Sequence, residues 1–164
     1  MARMKIEGLS EYVQKLEELE QQAKPLVEKC IYEGAKVVAD AVKAAINQIP
    51  TRSPDEVGSP GHAVSGLLAI EKKGLEYSFG VTKMRDSGFS RDVKLGFDGY
   101  NRVVTKKFPQ GQPNAMIARS IESGTSFLQP CHFMSKAVNA TKSACVAKME
   151  EVCDIEISKI MGGN

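Results

Sequence analysis

The sequence has few of the residues from which metal and redox sites are usually built. It contains two histidines, and its four cysteines form no CxxC pair. Zinc ligands come in closely spaced pairs that can reach one ion, whereas the adjacent Cys131 and His132 would point in different directions on a helix. Three cysteines fall at apolar positions of helical patterns, where a thiol behaves as a small hydrophobic group. We therefore expect no metal site, no cofactor and free, buried thiols.

Long apolar runs are also absent. No segment approaches the roughly 20 residues that a membrane-spanning helix needs, and the first residues, MARMKIEGLSEY, lack the apolar core of a secretory signal. The chain has 164 residues, of which 42% are hydrophobic and 26% charged, as is typical of a globular domain. We predict one domain over residues 1–164, made in a reducing cytosol and without a membrane partner.

Recognisable catalytic motifs are missing as well. Ser65 lies in GHAVSG, which is not the G-x-S-x-G elbow, and GLLAIEKKG is not a phosphate loop. Neighbouring carboxylates occur only in runs typical of a solvated helix face, such as Glu17 and Glu18. We expect a protein that is not an enzyme. Because catalytic groups assemble in space, a hydrolase that depends on His62 or His132 remains an alternative.

Helical periodicity dominates both ends of the chain. From Leu9 to about residue 49, apolar residues recur every three or four positions, which predicts a long amphipathic helix. Ser10 is suited to cap it and Pro50 to end it, while Pro25 predicts a kink or break. A second such pattern over residues 133–161 predicts a C-terminal helix that begins with Pro130 at its first position.

The middle of the chain reads differently. Apolar and polar residues alternate over 75–81 and 91–97, which predicts antiparallel strands of one sheet, and more weakly over 4–7. Residues 115–123 predict a short helix. Two polar segments near 50–62 and 100–114 predict mobile loops. The fold class that follows is α+β, with long N- and C-terminal helices packed on a small antiparallel sheet.

The small basic excess is concentrated in one segment. Residues 81–113 carry seven basic and three acidic groups, although the net charge of the chain is only +2. Such a segment is either solubilising charge or a surface that meets nucleic acid through phosphate contacts. Aromatic residues are too sparse there for stacking on single strands. Six of these seven cations are candidates for such contacts: Arg85, Arg91, Lys94, Arg102, Lys106 and Lys107.

The long N-terminal helix carries many small residues, among them Gly34, Ala35 and Ala39. Small side chains permit close approach by another helix, either within the domain or from a second subunit. Packing within the domain accounts for most of this face, and self-association remains a second use.

Several short motifs, in order, resemble a family of siphophage neck and tail components. They are Lys5 to Leu9 (KIEGL), residues 33–40 (EGAKVVAD), residues 65–68 (SGLL), residues 93–97 (VKLGF), and two motifs before and in the last helix. Those two are residues 122–125 (ESGT) and 133–137 (FMSKA). The family has proline before the last motif, where this chain has His132, and it has an aromatic residue before ESGT, where this chain has Met116 and Ile117 nearby.

The resemblance implies a structural virion assembly protein of a tailed phage or prophage. Such a protein joins head to tail, or completes or terminates the tail, as a subunit of an oligomeric ring around the DNA channel. Its partners would be copies of itself and neighbouring neck or tail proteins, first in the host bacterial cytoplasm and then in the virion. The six cations would face the channel and touch passing DNA non-specifically. The alternative is a small cytosolic DNA-binding module.

The segment IESGTSFLQPCHFMSKA gathers polar groups that could also suit an active site. We interpret it as a structural junction between two helices. In this interpretation the short helix closes at Glu122 with Gly124 in a turn conformation, Thr125 or Ser126 caps backbone donors, Pro130 begins the last helix and Phe133 packs beneath the corner.

Overall fold

The computed structural model describes residues 9–162 and contains four helices and four short strands. The helices are α1 (Leu9–Gln48), α2 (Ala69–Ser78), α3 (Asn114–Ser123) and α4 (Phe133–Gly162). The strands are β1 (Phe79–Val81), β2 (Arg85–Asp86), β3 (Arg91–Asp92) and β4 (Leu95–Phe97). The strand predicted at residues 4–7 lies outside the described residues.

The two long helices pack against each other in antiparallel fashion. Lys15 of α1 donates to the carbonyl of Met161, and Lys29 pairs with Glu156 at 3.0 Å. These contacts lie on both sides of Pro25, and α1 continues through the proline without a break. The expected break at Pro25 is therefore wrong, since packing on α4 outweighs the loss of one backbone hydrogen bond.

The core lies where the second half of α1 meets the other elements. Val42 and Ile46 of α1 and Ile49, the first residue after it, are almost fully buried, together with Leu67 and Leu75. Ile117 and Ile121 of α3 and Phe133 of α4 belong to the same cluster. Burying a side chain of this size contributes about 1.5–3 kcal/mol relative to exposure. The N-terminal half of α1 takes no part in the core and extends away from it beside α4.

The small residues of α1 serve packing within the domain. Ala35 and Ala39 are buried, and a Cβ at Gly34 would collide with the side chain of Met149 in α4. This agrees with the prediction that packing within the domain uses most of this face.

The predicted strand at residues 75–81 is largely wrong, because residues 75–78 belong to α2. Leu75 and Phe79 are both buried, and a spacing of four satisfies a helix as well as an alternating strand. Glu71 assists the helical choice, since its Oε2 accepts from the Leu68 N–H at 3.0 Å and caps the start of α2.

The strands form two separate two-stranded antiparallel sheets. In one, β1 pairs with β4 so that Phe79 faces Phe97. In the other, β2 pairs with β3 so that Arg85 faces Asp92 and Asp86 faces Arg91. The single strand predicted over 91–97 is therefore two strands in two sheets. The α+β class with long terminal helices and a small antiparallel sheet is confirmed.

The predicted loop at residues 50–62 contains no helix or strand. The predicted loop at residues 100–114 contains none before Asn114, where α3 begins. The first is tied to the chain that follows it, because Arg52 N–H donates to the Leu67 carbonyl and Leu67 N–H to that of Pro50. The mobility of both loops stays a prediction.

Cys30 of α1 and Cys153 of α4 are joined by a disulfide that spans 123 residues. The prediction of free thiols is wrong for this pair. The two cysteines lie on helices that are far apart in sequence but pack against each other, which brings the thiols together. Cys131 and Cys145 are free and partly buried.

Two helix boundaries also differ from expectation. Ser10 lies inside α1, which already includes Leu9, and Pro130 precedes α4 by three residues. The remaining helix predictions, the end of α1 before Pro50 and the short helix near 115–123, are confirmed.

Candidate functional site

Two of the six candidate cations are neutralised within the β2–β3 hairpin. Arg85 Nε and Nη2 both donate to Asp92 Oδ1, at 3.2 and 3.1 Å. Arg91 Nε and Nη2 donate to Asp86 Oδ2, at 3.2 and 2.9 Å. The antiparallel register places each arginine opposite an aspartate, and such cross-strand pairs stabilise a two-stranded ribbon.

The two arginines are nevertheless different in their surroundings. The Arg85 side chain is 66% exposed, whereas that of Arg91 is 14% exposed. Arg91 Nη1 also donates to the carbonyl of Lys24 at 3.0 Å and lies 3.9 Å from Glu28. The Gly88 N–H and the Arg91 guanidinium hydrogen-bond Asp86 and hold its pKa below the ordinary value of 3.8. Arg91 therefore attaches the hairpin to α1.

The other four cations are exposed on the segment between β3 and α3. Within residues 9–162, no ion pair involves Lys94, Arg102, Lys106 or Lys107. The Lys107 ammonium lies 5.7 Å from the centre of the Phe108 ring. Among the described residues, nothing therefore hinders contact between these four exposed side chains and a partner.

The junction between α3 and α4 is held by the carboxylate of Glu122. Glu122 Oε2 accepts from the Met134 N–H at 2.9 Å, and Oε1 accepts from the Ser135 N–H at 3.0 Å and from the Ser135 hydroxyl. Burial raises the pKa of Glu122, but the hydrogen bonds from Ser135 and Met134 outweigh it and lower the pKa below the ordinary 4.5. Glu122 thus supplies the negative charge that the first turn of α4 favours.

The turn after α3 has the predicted construction. Gly124 has φ 76 and ψ 169, a combination open almost only to glycine. Thr125 Oγ1 accepts from the N–H groups of Phe127 and Leu128, at 3.1 and 3.0 Å. The predictions for Gly124 and Thr125 are confirmed.

The start of α4 agrees with the predicted junction in part. Phe133 is buried, and its ring centre lies 6.3 Å from that of Phe97, as a residue beneath the corner should. Pro130 instead contacts Gly124, where an added Cβ would lie 2.9 Å from its Cδ. His132 has φ 54, which proline cannot adopt because its ring holds φ near −65°. This corner therefore cannot hold the proline that the resembled family has at this position.

Large apolar side chains are exposed on both long helices and on the hairpin tip. Tyr12, Leu16 and Val27 of α1 are spaced by four and eleven residues and share one face of the helix. Ile155 and Ile157 of α4 are also exposed. Phe89, between β2 and β3, is fully exposed. Exposed apolar side chains commonly mark contacts with other proteins where they form a contiguous patch.

Neither a metal site nor a membrane helix is found in the part of the chain that the structure describes. No group of three or more His, Cys, Asp or Glu side chains there is arranged to hold an ion. The described helices lack a stretch both long and apolar enough to cross a bilayer. The chain matches no protein-family model, no curated protein and no solved structure.

Proposed function

We propose that this chain is a structural assembly protein of a tailed phage. It joins head to tail, or completes or terminates the tail, as one subunit of a ring around the DNA channel. The proposal begins from the ordered motifs of the sequence, of which ESGT and FMSKA meet at one α3–α4 junction. The protein acts in the host bacterial cytoplasm during assembly and afterwards in the neck or tail of the virion.

The observation that carries the proposal is the apolar surface of the paired helices. α1 and α4 extend beyond the core with Tyr12, Leu16, Val27 and Ile155 exposed. A helix face that remains apolar outside the core is favourable when a neighbouring subunit covers it. A ring around a rotation axis provides such a neighbour on each side of every subunit.

In this proposal the four exposed cations, Lys94, Arg102, Lys106 and Lys107, flank the channel. They neutralise phosphates of passing DNA without recognising its sequence. Arg85 and Arg91 contribute less to the channel charge, because Asp92 and Asp86 bind them.

The first test is electron microscopy of lysates from the encoding phage or prophage with an early stop codon in this gene. Separate DNA-filled heads and tails are expected for a joining role, and tails of abnormal length for a completing or terminating role. Wild-type protein supplied from a plasmid should restore normal particles. Intact infectious particles without the protein would overturn the proposal.

The channel assignment has its own test, in which Lys94, Arg102, Lys106 and Lys107 are all changed to Glu. The matched control reverses four exposed cations elsewhere, Lys36, Lys43, Arg119 and Lys142. We expect impaired assembly or DNA ejection only with the first set. Normal assembly and ejection with that set would remove the cations from the channel.

A DNA-binding module is the second candidate, and the same four exposed cations favour it. It predicts that the isolated protein binds duplex DNA, with an affinity that falls steeply between about 50 and 200 mM salt. Normal particles from the stop-codon phage, together with such binding, would favour this function over virion assembly.

A further inference from the structure

A groove between α2 and the segment that precedes α3 has two buried polar atoms in its floor that lack a hydrogen-bond partner among the described residues. It has a volume of about 730 Å³, which lies within the usual range of ligand pockets. Asn101 and Asn114 line it and are only 6% and 3% exposed. They lie outside the α3–α4 junction and are not among the channel cations.

The hydrogen bonds of the two asparagines define the orientation of their amide groups. Asn101 Oδ1 accepts from the N–H groups of Val103 and Gln112, at 3.0 and 2.9 Å. Asn114 Nδ2 donates to the Asp98 carbonyl at 3.0 Å. Among the described residues, Asn101 Nδ2 and Asn114 Oδ1 therefore remain without a partner. Buried polar atoms nearly always have one, so an unpaired donor and an unpaired acceptor in one floor require an explanation.

Gly74 of α2 packs directly on Asn101 and Asn114. A Cβ at position 74 would lie 2.9 Å from Asn114 Oδ1 and 3.3 Å from Asn101 Cβ. The missing side chain allows the helix backbone to approach both asparagines closely.

The rim of the groove combines aromatic rings with a positive balance of charge. Tyr77 and Tyr100 are 89% and 63% exposed. Tyrosine is enriched at protein–protein interfaces relative to the rest of the surface. Lys73 and Arg102 supply two cations, and Asp98 supplies one carboxylate.

We propose that this groove binds an extended peptide segment with an acidic side chain, contributed by a protein partner. A peptide group offers a carbonyl for Asn101 Nδ2 and an N–H for Asn114 Oδ1. Both atoms are closed to solvent in this structure, so the proposal includes a shift of α2 at Gly74 away from the two asparagines when the segment binds. The tyrosines cover the segment, and Lys73 and Arg102 bind its carboxylate. The Asp98 carboxylate disfavours a run of phosphates, so a peptide fits the charges better than nucleic acid does. The inference does not depend on the virion assignment.

The test uses purified full-length protein and pools of fluorescein-labelled octapeptides with blocked ends. One pool has Glu at the central position, the second has Gln and the third Lys. Fluorescence polarisation gives the affinity of each pool, and NMR of the ¹⁵N-labelled protein follows the side-chain NH₂ signals of Asn101 and Asn114. We expect the Glu pool to bind about tenfold more tightly than the Lys pool and to shift both NH₂ signals.

Exposed rim residues give variants that should fold normally. Lys73→Ala with Arg102→Ala should abolish the preference for Glu, and Tyr77→Ala should weaken all three pools. Lys36→Ala with Lys43→Ala, outside the groove, should leave the affinities of all three pools unchanged. Equal binding of the Glu and Lys pools, unshifted NH₂ signals or no binding at all would overturn the inference. So would a dT₁₂ oligonucleotide that displaces the peptides and shifts the same signals, because nucleic acid would then occupy the groove.

Discussion

Glu122 in α3 and Ser135 in α4 are joined twice, since both the N–H and the hydroxyl of Ser135 donate to Glu122 Oε1. A third bond, from the Met134 N–H, reaches Oε2. The first turn of α4 therefore obtains its capping group from the preceding helix. One carboxylate thus joins the end of α3 to the first turn of α4.

Glu122→Gln is expected to destabilise the protein by about 1 kcal/mol at pH 7, as the loss of a capping group does. The folded-state pKa of Glu122 is below its ordinary 4.5, so its contribution is complete above that pH and is lost as the pH falls through the folded-state pKa. In urea denaturation, the difference in the free energy of unfolding between wild type and Glu122→Gln should become smaller as the pH is lowered towards 3. Glu150→Gln, at an exposed site in the middle of α4, is the control. An equal difference at both pH values would contradict the capping role of the charge.

Gly124→Ala is expected to cost about 1–3 kcal/mol, because its backbone conformation is closed to other residues. The added Cβ would also press on Pro130 at 2.9 Å. Gly80→Ala is a suitable control, since a Cβ there meets nothing within 4 Å. Thermal and urea denaturation measure both variants. Similar midpoints for the two would show that the turn does not need glycine.

Arg91→Ala is expected to release the β2–β3 hairpin from α1, whereas Arg85→Ala should leave it attached. Arg91 bonds the Lys24 carbonyl and Asp86, while Arg85 forms an exposed pair of the kind worth about 0–1 kcal/mol. Hydrogen exchange of residues 84–92 should quicken in the first variant only. Equal exchange in both variants would assign the attachment to other contacts, such as that of the Tyr32 hydroxyl with the Met84 N–H.

The disulfide predicts a simple thiol count. Protein purified without reductant and then denatured should react at two thiols, Cys131 and Cys145, and at four after reduction. Cross-links of this kind typically contribute about 2–4 kcal/mol, so reduction should lower the urea midpoint. The Cys30→Ser, Cys153→Ser double variant should match the reduced protein. Four reactive thiols before reduction would exclude the disulfide.

The long helices could be predicted from the sequence because their period repeats over many turns. Short segments gave less certain answers. Residues 75–78 satisfied both a helix and a strand, and the contacts that favour α2 include the Glu71 cap, which the pattern of apolar residues does not contain. The disulfide depends on how α1 and α4 face each other, which spacing along the chain does not specify.

The junction was predictable where the local backbone decides, as at Gly124 and Thr125. The capping role of Glu122 was missed, although a signal existed. No Ser, Thr, Asp or Asn immediately precedes α4, so its first N–H groups needed an acceptor from elsewhere. The repeated Arg-Asp pairs at 85–86 and 91–92 likewise indicated a hairpin in which the charges meet across the strands. Asn101 and Asn114 gave no such signal, because their burial depends on the path of a long irregular segment.

The 40-residue helix α1 is anchored in the core only by its second half. At about 1.5 Å per residue its first half, which lies beside α4, reaches some 30 Å beyond that anchor. A small tilt at the core end is therefore magnified towards Leu16 and Tyr12 in proportion to this length. A slight change of core packing at the second half of α1 therefore displaces the exposed apolar side chains at its other end by a much larger distance.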